Sequence, residues 1–196
     1  MNRKKDRRHI ILTAAERLLR HYGPHKTTIS DIAREASVGV GTVYLEFSSK
    51  DDILSALSTQ RYSTILHTMQ QASQQHTDPA EQIDALLQAR FDALLKLSEE
   101  GTHAPDLLHC ACDSIKHAYL CFREQEEQLM IAILQDGQQQ GLFSLENPTL
   151  TARSIFDALF KFSPPWIHTN CRESLIESHT QLKKLIRLGL LATNHT

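Results

Sequence analysis

Thr28-Ile29-Ser30-Asp31-Ile32-Ala33-Arg34-Glu35-Ala36-Ser37-Val38-Gly39-Val40-Gly41-Thr42-Val43-Tyr44-Leu45-Glu46-Phe47 is the stretch that decides the fold. Ile32, Ala33 and Ala36 fall on one side of a short helix predicted from Ile29 to Ala36, with Asp31, Arg34 and Glu35 on the other. Ser37-Val38-Gly39 then makes a tight turn, and Val40 to Phe47 forms a second short helix carrying Gly41, Val43, Tyr44 and Phe47. Two short helices about a tight turn, packed on a longer helix and flanked by basic groups, are the parts of a helix-turn-helix reader of DNA.

The flanks supply the remaining parts. Upstream, Ile10, Ile11, Ala14, Ala15, Leu18 and Leu19 recur at i, i+3/i+4 in a helix predicted from about Lys5 to Tyr22, which Gly23-Pro24 stops. Arg3, Lys4, Lys5, Arg7 and Arg8 precede and begin that helix, and an arm on phosphates or in the minor groove is the preferred reading over a solvated tail. Downstream, Ser49 and Asp52 open the next helix with a hydroxyl and a first-turn carboxylate.

Beyond this point glycine and proline punctuate long blocks. None occurs from Thr42 to Asp78 or from Asp106 to Asp136, and the blocks show no period-two alternation. They read as a helix from Lys50 to about Gln75, one from Pro79 to about Glu99, and a short plus a long helix between Pro105 and Gln140. A further helix opens at Asn147-Pro148 and runs through about Phe162, and a last one covers Arg172 to Leu191. With no credible strand, the chain is expected to be all-α. Residues 1–60 form the expected DNA-binding domain and residues 61–196 a helical domain for effector binding and dimerisation.

Charge divides the same way. Residues 1–61 hold eleven Lys and Arg against seven Asp and Glu, whereas the rest hold ten against sixteen, so a net of −2 conceals a basic module on an acidic body. Of the 196 residues, 41% are hydrophobic and 22% charged, which excludes a disordered or fibrous chain. No apolar run reaches membrane-span length, and the basic N-terminus lacks a signal-peptide core, so a soluble, cytoplasmic protein is expected. Cys110, Cys112, Cys121 and Cys171 form no CxxC pair and read as reduced thiols.

Thr28, Thr42, Tyr44 and Lys50 can donate to phosphate oxygens, Gly41 lets the backbone approach a phosphate closely, and Val40 and Leu45 can meet bases through apolar contacts. With Arg3, Lys4 and Lys5 these are the candidate DNA contacts. Phe47 reads as core, and Glu46 is left out because a carboxylate beside DNA repels phosphate unless it points away or accepts from a cytosine amino group.

Ile11-x-x-Ala14-Ala15-x-x-Leu18, Gly23, Thr27-Thr28-Ile29-x-x-Ile32-Ala33-x-x-Ala36, Val38 and Gly41-Thr42-Val43-Tyr44-x-x-Phe47-x-x-Lys50-x-x-x-Leu54 together resemble the TetR family of bacterial transcription regulators. The resemblance covers about the first 55 residues; the rest matches in layout, including Gly137-x-x-x-Gly141-x-Phe143 at the end of a long helix. It implies an all-α homodimer that binds operator DNA, with a variable C-terminal domain for a small effector and the last two helices as a four-helix dimer interface. Where the family usually has glycine then serine around the turn valine, this chain has Ser37 and Gly39, so the usual capping hydroxyl is missing.

For the effector pocket the expected lining is Phe91, Leu94, His109, Asp113, His117, Tyr119, Phe122 and Trp166, apolar with a few polar fixing points. His109, Asp113 and His117 share a helix face near three cysteines, which keeps a metal-responsive regulator as an alternative. No metal or other cofactor is assigned, because His109 and His117 are two turns apart and Cys110 and Cys112 diverge. The dimer stripe is expected at Ile155, Leu159, Phe162, Leu182, Leu185, Ile186 and Leu190. No GxSxG, P-loop, GxGxxG or HExxH occurs, so an enzyme is not expected. A transcriptional activator or an architectural protein that binds DNA without preference remains a weaker alternative.

Overall fold

The computed structural model describes residues 3–100, 103, 105–108, 113–168 and 171–191. It is all-α: α1 Arg3–Tyr22, α2 Ile29–Glu35, α3 Val40–Glu46, α4 Lys50–Ser73, α5 Pro79–Glu99, α6 Asp113–Gln139, α7 Pro148–Ala158 and α8 Arg172–Leu190, with single 3-10 turns at Pro105–Leu107, Phe160–Phe162 and Trp166–His168. Among the described residues no strand forms; Phe143 and Leu191 make one isolated antiparallel bridge.

Helix starts follow local chemistry. The Thr28 hydroxyl accepts from the Asp31 amide at 3.2 Å while the Asp31 carboxylate accepts from the Thr28 amide at 3.1 Å, a complete capping box. The Thr28 hydroxyl also donates to the Asp31 carboxylate at 2.6 Å, and that bond, with the one from the Thr28 amide, holds the Asp31 carboxyl below the usual range. At the start of α4 the Ser49 hydroxyl accepts from the Asp52 amide and the Asp52 carboxylate from the Ser48 amide, Asn147 caps α7 with Pro148 in the first turn, and Asp78 receives the Ala80 and Glu81 amides. The long helix α6 ends in a Schellman motif: Leu142 N–H donates to the Gly137 carbonyl, Gly141 N–H to Gln138, and Gly141 sits at φ +74°.

Two expectations shift. α7 stops at Ala158 instead of running through Phe162, and a 3-10 turn follows; Pro164-Pro165 just beyond disfavours α geometry in the residue before it and removes amide donors. α4 ends at Ser73, two residues early, where the apolar stripe has already given way to glutamine.

The chain divides into two compact units. The first comprises residues 1–62 and 97–120, the second residues 63–96 and 121–196. In the first, Ile11, Ala15, Leu19, Ile32, Val43, Phe47, Ile53, Leu57, Leu107 and Ile115 form one buried cluster, so α2 and α3 rest on α1 and the start of α4. Polar bonds tie Glu100 and Leu108 to it, Arg20 donating to the Glu100 carbonyl at 3.2 Å and the Tyr62 hydroxyl to the Leu108 carbonyl at 2.9 Å, while buried Arg61 of α4 donates to Glu16 of α1 at 2.6 Å.

The second unit has an aromatic interior with charges inside it. Arg90 donates through Nε to Glu126 at 2.6 Å and through Nη2 to the Ser163 hydroxyl at 3.0 Å, all three residues buried. Its guanidinium lies 5.6 Å from the Phe156 ring centroid and 5.9 Å from that of Phe122. His179 stacks on Phe91 at 4.1 Å and meets Phe162 edge-on at 5.2 Å. Burial, reinforced by the Lys183 and Arg90 charges, pushes its imidazole down to about 4.

Candidate nucleic-acid interface

The turn between α2 and α3 is made by Ser37 at φ +54°, with Val38 N–H returned to the Ala33 carbonyl at 2.9 Å. That geometry seats Val43 and Phe47 in the core and leaves the opposite side of α3 in water. Val40 is 41% exposed, Tyr44 55% and Leu45 77%, with Gly41 exposed between them. An i, i+1, i+4, i+5 face of two aliphatic residues, a glycine and a phenol gains nothing from water, and its width suits a major groove.

The candidate phosphate donors are already engaged to different degrees. Thr28 is exposed but its hydroxyl serves the capping box. Thr42 is half-buried. Lys50 donates Nζ to the Pro24 carbonyl at 2.7 Å and the Thr27 carbonyl at 3.3 Å, which ties the loop before α2 to α4 and leaves one of its three N–H bonds. The side chains of Arg3, Lys4 and Lys5 lie outside the described residues. Arg7 and Arg8, named in the basic run but not as contacts, turn out to sit against α3: Arg8 donates to the Glu46 main-chain oxygen at 2.9 Å, and Arg7 Nε is 3.7 Å from the Glu46 carboxylate. That carboxylate is turned inward and nearly buried, which keeps its charge off the exposed face.

The expected effector lining is corrected in part. Phe91, Leu94 and Phe122 are interior. Asp113 and His117 are exposed on the solvent side of α6 and are not interior fixing points, because Ile115 and Ala118 take the buried register. Tyr119 is half-buried, its ring 6.1 Å from that of Tyr62, and Trp166 is exposed beside Phe160. His109, Cys110 and Cys112 lie outside the described residues. Among the described residues no three of His, Cys, Asp and Glu are grouped to hold a metal ion.

The interior polar groups that sequence reasoning missed are Arg90, Glu126, Ser163 and His179. Their signal was present: Arg90 follows Ile83 and Leu86/Leu87 in register, Glu126 lies midway between Phe122 and Met130, and His179 is four residues past Leu175.

The dimer stripe is also redrawn. Ile155, Leu159, Phe162 and Leu190 are buried within the chain's own core and have no surface left for a second copy. Leu182 and Ile186 are half-buried, and Leu185 is 65% exposed. Leu188, at 69%, joins it, and with Ser174, Ser178 and Gln181 the two leucines follow a 4-3-4-3 spacing along one side of α8. On α7, Leu150, Ser154 and Ala158 are exposed at four-residue intervals.

The reader on α3 defines a helix-turn-helix protein of the kind that meets duplex DNA through one short helix. Comparison with known proteins gives the family. Residues 11–57 match the model for bacterial regulatory proteins of the tetR family, and residues 79–183 match a tetracyclin repressor-like C-terminal domain. The chain therefore belongs to the TetR family and is a DNA-binding transcription regulator. It is 28% identical over 198 residues to the fatty acid metabolism regulator protein of Bacillus subtilis, covering 97% of this chain and 98% of that one. It is 50% identical over 50 residues to the regulator HbdR of Aromatoleum, covering 26% and 22%. Its fold resembles the solved structure of FadR from Bacillus subtilis in complex with stearoyl-CoA, with a TM-score of 0.73, 20% identity and coverage of 93% and 98%. No described helix is long and apolar enough to cross a membrane.

Proposed function

We propose that this regulator is a cytoplasmic repressor that binds a palindromic operator as a homodimer and leaves it when a small molecule occupies the C-terminal part. Residues 1–60 read the DNA; residues 61–196 bind the effector and pair the subunits. The observation that carries the reading is the exposed Val40, Gly41, Tyr44 and Leu45 face of α3. One such helix reads a half-site, so two must lie about 34 to 36 Å apart to engage successive major grooves. The side of α8 carrying Leu185 and Leu188, with the Leu150, Ser154 and Ala158 side of α7, is suited to that pairing.

The effector is a mostly apolar molecule with one or two polar groups, received among Phe91, Leu94 and Phe122, with Arg90, Ser163 and His179 as the polar partners in reach of that interior. The likeness to a fatty acid metabolism regulator and to a protein solved with stearoyl-CoA makes a long-chain acyl thioester the first probe. An effector that prefers the released state about a hundredfold supplies roughly 2.7 kcal/mol toward release. The test is selection of a duplex from a random library by the purified protein, followed by titration of the complex with stearoyl-CoA. The reading expects an inverted repeat bound by two chains and a ligand-dependent release. Selection of no sequence would overturn it.

A further inference from the structure

Helix α3 has seven residues and an unsupported beginning. Gly39 stands at the N-cap with extended geometry, φ −70° and ψ 148°, and offers no side-chain oxygen. The Gly39 carbonyl accepts the ordinary first helical bond from the Val43 amide at 3.3 Å and a tighter one from the Thr42 amide at 2.9 Å, and no side-chain oxygen adds to them. α2, with its capping box, has what α3 lacks. A helix this short does not hold itself together, so its support must come from elsewhere.

It comes from α1 at the opposite end. Arg8 donates Nη1 to the main-chain oxygen of Glu46, the last residue of α3, at 2.9 Å. The same guanidinium lies 4.1 Å over the ring of Phe47, the C-cap residue. The final carbonyls of a helix lack partners and carry the negative end of its dipole, so a planar cation there satisfies and neutralises them together. Arg7 beside it faces the inward-turned Glu46 carboxylate, so two neighbouring arginines of α1 converge on one residue of α3.

We propose that Arg8 is the positioning residue of the DNA-reading helix: by capping α3 from α1 it replaces the support that Gly39 does not give, and it fixes how Val40 and Leu45 meet base edges. The proposal rests on α3 being the reader. It separates Arg8 from an ordinary phosphate ligand, since a guanidinium that only met phosphate would serve every duplex alike. A positioning residue serves the matched sequence above all others.

The experiment compares affinity for the duplex selected by the wild-type protein with affinity for a scrambled duplex of the same length and composition, across salt concentrations. Arg8→Ala is expected to lower the ratio of the two at least tenfold. Arg8→Lys, which keeps the charge but loses the planar fork, is expected to keep the salt slope and still lose part of the ratio. The decisive arm adds Gly39→Ser to Arg8→Ala. A Cβ at position 39 meets no heavy atom nearer than the Thr42 Oγ1 at 3.8 Å, and the backbone already has N-cap geometry, so the new hydroxyl reaches the Thr42 amide. The pair is expected to recover at least half of the lost ratio on a logarithmic scale. A ratio unchanged by Arg8→Ala or by Arg8→Lys, or no recovery from Gly39→Ser, overturns the proposal. A wild-type protein that selects no sequence instead fails the reading of α3 itself.

Discussion

Replacing Gly41 with alanine separates the stability of α3 from its use. Gly41 is the second residue of the helix, it is exposed, and a Cβ built on it meets nothing within 4 Å. In the free protein the substitution therefore adds no clash, and the helix propensity of alanine acts alone. A glycine inside a helix costs about 0.5 to 1 kcal/mol relative to alanine, and the lower figure suits a first-turn position. For a chain of this size about 0.5 kcal/mol raises the melting temperature by about 1 to 2 °C. On DNA the sign reverses. If the backbone at Gly41 lies against a phosphate, the methyl group stands between them and weakens a hydrogen bond to a charged group, worth about 1.5 to 3 kcal/mol. That corresponds to a tenfold to hundredfold loss of affinity. Thermal melting and equilibrium DNA binding on one preparation read both effects. A variant that is more stable and binds DNA as tightly as wild type would refute the placement of Gly41 at the DNA surface.

Three further outcomes follow from the structure. His179 is neutral in the fold and its imidazole is pushed down to about 4, whereas the unfolded chain protonates near 6.5; stability is thus fully present above about 6.5 and lost as pH falls toward 4, by up to about 3 kcal/mol, and His179→Phe should flatten that part of a denaturation series. Gly137→Ala should destabilise by about 1 to 3 kcal/mol in chemical denaturation despite alanine's propensity, because its Cβ would run into the buried Phe143 ring. Leu185→Glu combined with Leu188→Glu should give folded monomers by sedimentation, since both side chains are exposed in the single chain and neither supports its core; a stable dimer would place the interface elsewhere.

The helices were readable because glycine, proline and caps mark their ends in local chemistry. Thr28 with Asp31, Ser49 with Asp52 and Asn147 with Pro148 each act within four residues. The exposed side of α3 was equally legible, since Val43 and Phe47 fall on the buried register and Val40, Tyr44 and Leu45 do not. What failed was the partition of apolar residues between core and surface in α7 and α8. Ile155, Leu159 and Phe162 look the same in sequence as Leu185 and Leu188, and only packing against other helices assigns the first three to the interior. The Arg90–Glu126 pair was missed for a related reason: partners 36 residues apart meet across two helices, and a charge in an apolar stripe shows its meaning only once its partner is found. The Arg8 cap on α3 is another long-range bond that no local pattern encodes.

The central claim is that the exposed side of α3 meets DNA, and amide hydrogen exchange on the protein with and without its selected duplex tests it most directly. The account predicts protection concentrated in Gly39 to Leu45, extending to the start of α2 near Thr28, with α7 and α8 unchanged by DNA in the preformed dimer. Protection that spared α3 and appeared only elsewhere would contradict it.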